Sequence, residues 1–431
     1  MNGTEDISTR IRTLAGETTF PFWLADARAR ATRALDAAQF PGRKSESWKY
    51  TRLGALEGSG ALAAHAGLSH DPLPAGQVPD IDGWRVVVVN GRFAQQLSSL
   101  PGDGSLVVSS LVQLPDAEQA TARALASTID TARLPFAAFN EAAFSDGLYV
   151  RVPKGKVPGR PLHVIFHSTG HTPATVQARL LVQLDEQAAL TLIEQYTGDG
   201  DSLYTNAGTA IALGRSAKLD WLRVQMEDHR QFFTGGANLR LQQDSTCNGW
   251  LLMSGSRLKR NDITCEMAAP GASLNLQGVF VAGSSEHVDN QIGIEHAAPH
   301  ATSTQVFKGL VGGDGRAVFN GRIHIHPGAK QTSAELVNNN LLLSADAEVD
   351  TKPELEIYND DVKCAHGATV GQLNETAVFY LQSRGIPKAD AELMLALGFV
   401  NALVDSVPLP ALAGWLRGEF GRWFADRGKR T

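Results

Sequence analysis

Along the chain the spacing of apolar residues changes twice, and those changes divide it into three parts. From Phe22 to Ala38 the run FWLADARARATRALDAA places Ala, Leu and Trp at helical spacing with no Gly or Pro inside it, and Pro41 and Gly42 end it. A short apolar strand is predicted at Val86–Val89, closed by the turn pair Asn90-Gly91, and a second helical stretch over Ala117–Ala132. Near Tyr149 the period shortens. Leu222, Val224 and Met226 alternate with Arg223 and Gln225. Leu239 and Leu241 flank Arg240, Leu274 and Leu276 flank Asn275, and Ile323 and Ile325 alternate with His324 and His326. A period of two is the mark of half-buried strands. Many short strands broken by Gly, Asn and Asp predict a sandwich, a barrel or a β-helix, and without a repeat of fixed length the periodicity does not choose among them.

After about Gly371 the pattern is helical again. Asn374 is a candidate N-cap for Glu375–Arg384. Pro387 opens a segment carrying Leu393, Leu395, Leu397 and Val400, which Pro408 and Pro410 break. The last segment, Ala411–Arg427, sets Leu412, Leu416, Phe420, Trp423 and Phe424 near one face, a stripe expected to pack on its own domain. The expected division is a helical and mixed region over 1–148, a strand-rich core over 149–371 and a helical region over 372–431.

The composition narrows the function classes. A formal net charge of -6 gives no reason to expect a nucleic-acid partner. The three cysteines, Cys247, Cys265 and Cys364, lie far apart with no CxxC, which argues against a disulfide framework and a closed zinc site. The first residues lack a basic segment followed by an apolar one, and no apolar run approaches the roughly 20 residues that span a bilayer. The expectation is a reduced, cytoplasmic protein with no membrane contact.

Catalytic motifs are missing. No GxxxxGK[ST] loop is present, and Gly312-Gly313-Asp314-Gly315 lacks the lysine and reads as a turn, as does Lys154-Gly155-Lys156. There is no GxGxxG opening a helix, no GxSxG elbow and no HExxH. Glu354 and Glu356 fall on one face of a strand, where solvation is the ordinary explanation.

The ligand-type residues carry more. Cys364 and His366 form a CxH pair in DVKCAHGATVG. On a strand, residues i and i+2 project to the same side, so a thiolate and an imidazole could reach one iron or zinc atom. Two ligands do not close a four-coordinate site; the others would come from elsewhere in the fold or from another subunit, which points towards an interface. His324 and His326 share that spacing, but with Ile323 and Ile325 turned inward they are expected to face solvent. Cys247 and Cys265 read as small buried residues, and His287, His296 and His300 as structural histidines.

Long segments of the chain resemble the SufB/SufD family of iron–sulfur cluster assembly proteins. They are TKPELEIYNDDVKCAHGATVGQLNETAVFYLQSRGI (Thr351 to Ile386), HVDNQIGIEHAAPHATSTQVFKGLVGGDGRAVFNGRIHI (His287 to Ile325), NNNLLLSADAEVDTKPELEI, RVPKGKVPGRPLHVI and SESWKYT (Ser45–Thr51). Together they span nearly the whole sequence. The CxHGATVG string, with Gly367 where SufB members carry an acidic residue, resembles the SufD branch. The resemblance implies a mainly β fold, a right-handed parallel β-helix core flanked by N- and C-terminal α-helical domains. It implies pairing with SufB through the β-helix core, a SufC ATPase on the C-terminal helical domain, and a homodimer when isolated. It implies a non-catalytic scaffold for a transient iron–sulfur cluster at the SufB interface, with His366 as an iron ligand and Cys364 as a supporting ligand or metal-sensitive thiol. ATP binding in SufC would pull the helical domains and open that interface. Two other readings stay open: a purely structural partner of SufB and SufC, and a self-sufficient β-helix enzyme acting on carbohydrate. The dispersed carboxylates rank the last lowest.

Overall fold

In a computed structural model, residues 6–427 are described except 19–20, 43–44, 70–72 and 75. The alternation through the middle of the chain becomes a coil of strands. Successive strands alternate between a ten-stranded and a nine-stranded sheet, so neighbours within each sheet are two apart in sequence and, through the coil, parallel. This is a parallel β-solenoid, the third of the architectures that the periodicity left open. The register step along the ten-stranded sheet is 27 residues from Thr246 to Ser273, 29 from Ser273 to Thr302 and 31 from Thr302 to Ser333. That drift is why no fixed repeat is visible in the sequence: the turns absorb insertions while the strands keep register.

The lumen is filled by the inward residues of both sheets, among them Leu219, Trp221, Leu274, Leu276, Phe307, Phe319, Ile323, Ile325 and Leu336. Much of the outer surface is covered too, as parallel sheets generally are. Ile193, Leu222, Val224, Leu252, Val279 and Val281 on the ten-stranded sheet lie under Val400, Leu403, Leu412, Leu416 and Phe420 of the helices Lys388–Asp405 and Pro410–Arg427. The stripe on the last helix therefore packs on the chain's own solenoid. Each such leucine taken from water contributes about 1.5–3 kcal/mol. The helices Ile7–Gly16, Ala25–Ala37 and Pro135–Ala143 cover the other sheet, with Ile11, Leu14, Leu35, Phe136 and Phe139 against Tyr204, Phe232 and Leu258.

Leu222–Met226 departs from the half-buried expectation. The apolar residues face outward under the helices, and the polar Arg223 faces the lumen, where it pairs with Glu194 at 3.1 Å; both are buried. The helix predicted over Ala117–Ala132 is Asp116–Ala126. It stops where the Ser127 and Thr128 hydroxyls donate to the Ala124 and Leu125 carbonyls, a local alternative to continued helix. The segment Phe22–Ala38 is a 3-10 turn, Phe22–Leu24, followed by the helix Ala25–Ala37. Asn374 caps Glu375–Gln382, its side chain accepting from the Ala377 N–H at 3.1 Å. Asn90 (φ 49°) and Gly91 (φ 80°) close the hairpin after Trp84–Val89, and a Cβ on Gly91 would run into the Gln177 carbonyl. That strand pairs in parallel with Leu162–Ser168, so the N-terminal region adds a strand to the sheet. Among the described residues no helix is long and apolar enough to cross a membrane.

Candidate functional site

The two ends of the solenoid differ. At the N-terminal end the sheets finish in short antiparallel strands, Arg92–Phe93 and Val107–Ser110, which blunt the edges. At the C-terminal end both sheets finish in long parallel edge strands, Glu348–Ile357 and Val362–Gln372, of 10 and 11 residues. No residue of either is fully buried, and Val370 is 46% exposed. A long edge with free N–H and C=O groups is a template for another chain.

The CxH pair stands on this edge. Cys364 lies opposite Ala334 and His366 opposite Leu336, and both partners are lumen residues. The two side chains therefore share the lumen-facing side of the last strand, the arrangement that the i, i+2 spacing predicts. Cys364 is half-buried and packs against the end of the core; His366 is exposed, since no further coil covers it. Partial burial pushes the Cys364 thiol up, and a hydrogen bond with the Ala334 backbone pulls the other way. At neutral pH it is a thiol that a soft metal would deprotonate on binding.

Cys247 and Cys265 are fully buried in the lumen, and burial raises both thiols well above the ordinary range, as expected of inert core cysteines. His296 is buried against Ser303 at 2.9 Å, and His287 is hydrogen-bonded to Thr51 at 2.9 Å; burial lowers both imidazoles. His300 sits exposed in a turn at φ 61°. The segment Ser45–Thr51 clamps onto the solenoid: Arg260 stacks on Trp48 at 3.8 Å, donates to the Ser47 carbonyl at 2.7 Å and pairs with Asp289. Gly312–Gly315 and Lys154–Lys156 are turns between strands.

His324 and His326 do face outward, with Ile323 and Ile325 buried beneath, yet they are not simply solvated. Their rings stack at 4.2 Å beside Glu295, and Glu356 reaches the same group. Glu295 stands on the strand one coil earlier, directly opposite His324. Only the coil register reveals that adjacency; no spacing in the sequence could have supplied it.

A parallel β-solenoid of two sheets, clasped by helices at both termini and left open at one end with a CxH pair, defines a class of protein. The sequence matches the core domain of the SufBD proteins, described as SUF system FeS cluster assembly, over residues 166–399, and the SufBD N-terminal region over residues 17–164. The chain belongs to the SufB/SufD family and has a role in iron–sulfur cluster assembly. Among its relatives is the iron–sulfur cluster assembly protein SufD of Escherichia coli (strain K12), 31% identical over 374 residues, or 85% of each chain. The SufBD family protein slr0076 of Synechocystis sp. is 28% identical over 91% of this chain and 90% of its own length. Protein ABCI7, chloroplastic, of Arabidopsis thaliana is 24% identical over 88% and 82%.

Proposed function

We propose that this chain is the non-catalytic scaffold subunit of a SUF complex that pairs through the open end of its solenoid with SufB, and that a nascent iron–sulfur cluster is assembled at that junction. The cluster is the cargo. One observation carries the reading: the last strand, Val362–Gln372, is an exposed edge that presents an accessible imidazole, His366, and a half-buried thiol, Cys364, on one side. His366 supplies an iron ligand and Cys364 a supporting one; the remaining ligands come from the partner, which is why two suffice here.

A SufC ATPase docks on the C-terminal helices. The exposed Phe379, Tyr380 and Met394, 70%, 54% and 53% accessible, favour the helices Glu375–Gln382 and Lys388–Asp405 as that surface, since the stripe on Pro410–Arg427 is already used. ATP binding there pulls the helices and opens the junction, a switch that works only through differential affinity for two states. The same open edges support a homodimer when the chain is alone. The working units are 1–148, 149–371 and 372–431, the coil is right-handed as the family resemblance implies, and the complex acts in the cytoplasm.

The test is His366→Ala, co-expressed with SufB and SufC, with iron and labile sulfide measured on the purified complex. An intact complex with cluster content near background is expected. Full cluster content in an intact complex would leave the chain as scaffolding alone, with the CxH pair structural.

A further inference from the structure

We infer that Glu295, His324 and His326 form a second, separate metal site on the outer face of the nine-stranded sheet, one that takes a borderline divalent cation such as Zn2+ or Fe2+. Glu295 projects from the strand His287–His296, His324 from Arg316–Ile325, paired in parallel beside it, and His326 follows directly after that strand, its N–H donating to the His296 carbonyl at 3.0 Å. Inward-facing Ile294, Ile323 and Ile325, all buried, fix the alternation, so the three ligand residues are held outward on rigid backbone. One ligand atom from each lies within 4.8 Å of the other two. Glu295 Oε2 is 3.2 Å from His324 Nδ1 and 2.8 Å from His326 Nε2. Around a tetrahedral ion with bonds near 2.0–2.1 Å, adjacent ligand atoms stand about 3.3 Å apart, so the carboxylate–imidazole edges are already close to bonding size.

The donor set defines the ion. Two imidazoles and one carboxylate suit zinc, ferrous iron and their neighbours, not calcium or magnesium, which take oxygen ligands. Three protein ligands leave a position open to water, and side-chain exposures of 25%, 21% and 40% for Glu295, His324 and His326 give an ion access from solvent. The rings are stacked, 4.2 Å between centroids and 4° from parallel. Parallel planes cannot both contain one ion, so closure rotates the imidazoles apart about χ2, a soft torsion. Arg322 bridges Glu295 and Glu356 and sits 3.4 Å from His324 Nδ1. The incoming dication takes Glu295 from it, and Glu356 keeps the guanidinium paired.

This site is independent of the CxH pair, which lies on the lumen side of the other sheet's edge. The experiment uses the full chain stripped of metal, titrated with Zn2+ against a chromophoric chelator and with Co2+ followed by its visible ligand-field bands. One equivalent bound, with affinity falling more than about a hundredfold in the His324→Ala/His326→Ala variant, is the expected result, exceeding the 10- to 100-fold that outer-shell changes bring. The Cys364→Ser/His366→Ala variant keeps this equivalent. Circular dichroism checks the fold, and His326→Asn, at the most exposed ligand, gives a second variant that should lose affinity with the coil intact. Wild-type chain that binds no Co2+ or Zn2+, or a His324→Ala/His326→Ala variant that binds as tightly as wild type, overturns the assignment.

Discussion

Replacing Glu194 by Gln should loosen the middle of the solenoid by about 3–5 kcal/mol, the usual consequence of stranding one member of a buried ion pair. Glu194 lies in the lumen with no exposed surface. Its Oε1 accepts from the Tyr196 hydroxyl at 2.7 Å, the Thr209 hydroxyl at 2.6 Å and Arg223 at 3.1 Å, and its Oε2 accepts from Trp221 Nε1 at 2.8 Å. Arg223 is equally buried, with Tyr196, Trp221 and Phe233 ring centroids 5.0, 6.0 and 6.0 Å away. Glutamine keeps one acceptor but removes the charge and turns an amide towards the Trp221 N–H, so an unmatched guanidinium remains in an aromatic box. Coils of a solenoid open locally, so the loss is read where it occurs. Hydrogen exchange over Ala189–Gly198 and Lys218–Gln225 should quicken about 10³-fold, taking 1.4 kcal/mol per decade. Adding Arg223→Met should then slow it again, because a flexible apolar chain fits among the three rings and the buried guanidinium is gone, leaving the Trp221 N–H and the amide that faces it unsatisfied at about 1–3 kcal/mol each. Exchange that quickens less than tenfold in the single variant, or is as fast in the double, would refute the reasoning.

Two further outcomes follow from the same structure. Burial pushes the imidazoles of His163 and His296 down to about 4; the unfolded chain takes up those protons near 6.5, so stability is lost as pH falls through that interval, by about 2 kcal/mol per histidine at pH 5. Denaturant midpoints between pH 7 and pH 5 should fall more steeply in wild type than in His163→Gln/His296→Gln, and equal slopes would contradict the assignment. Asn374→Ala should cost about 1 kcal/mol locally and fray Glu375–Gln382, while Asn374→Ser should not; exchange rates across that helix distinguish the two.

What the sequence made legible was local. The period of two marks strands at Leu239–Leu241 and Ile323–Ile325, and proline and asparagine mark the ends of the C-terminal helices, because these signals depend on near neighbours. The CxH pair was legible for the same reason, since Cys364 and His366 need only one strand to share a side. What escaped depends on register between coils. The outward turn of Leu222 and Val224 makes sense only when two helices more than 150 residues later lie over them. Arg223 reads as a solvated residue until Glu194, a coil earlier, is placed beside it in the lumen. Glu295 joins His324 only because coil spacing there is 29 residues, Glu295 to His324. The family resemblance supplied the solenoid that periodicity alone left among three candidates.

The asymmetry of the coil explains why the open end is where another chain should dock. A solenoid gains stability from each neighbouring coil, and its terminal coils lack one, so they need a cap. Here the N-terminal end has two short antiparallel strands, and helices lie over both sheets. At the other end the inward positions of Thr332–Leu342 are still buried under one more strand, but those of Val362–Gln372 are not buried under anything. On the inward side that last strand carries Val362, Cys364, His366, Ala368, Val370 and Gln372, polar enough to tolerate water and apolar enough to lose little on being covered. Charged residues, the usual defence of an edge against pairing, are confined to Lys363 at its start. An edge kept long, parallel and almost free of charge fits one that is meant to be covered, and a chain docked there would enclose Cys364 and His366 in the seam between the two.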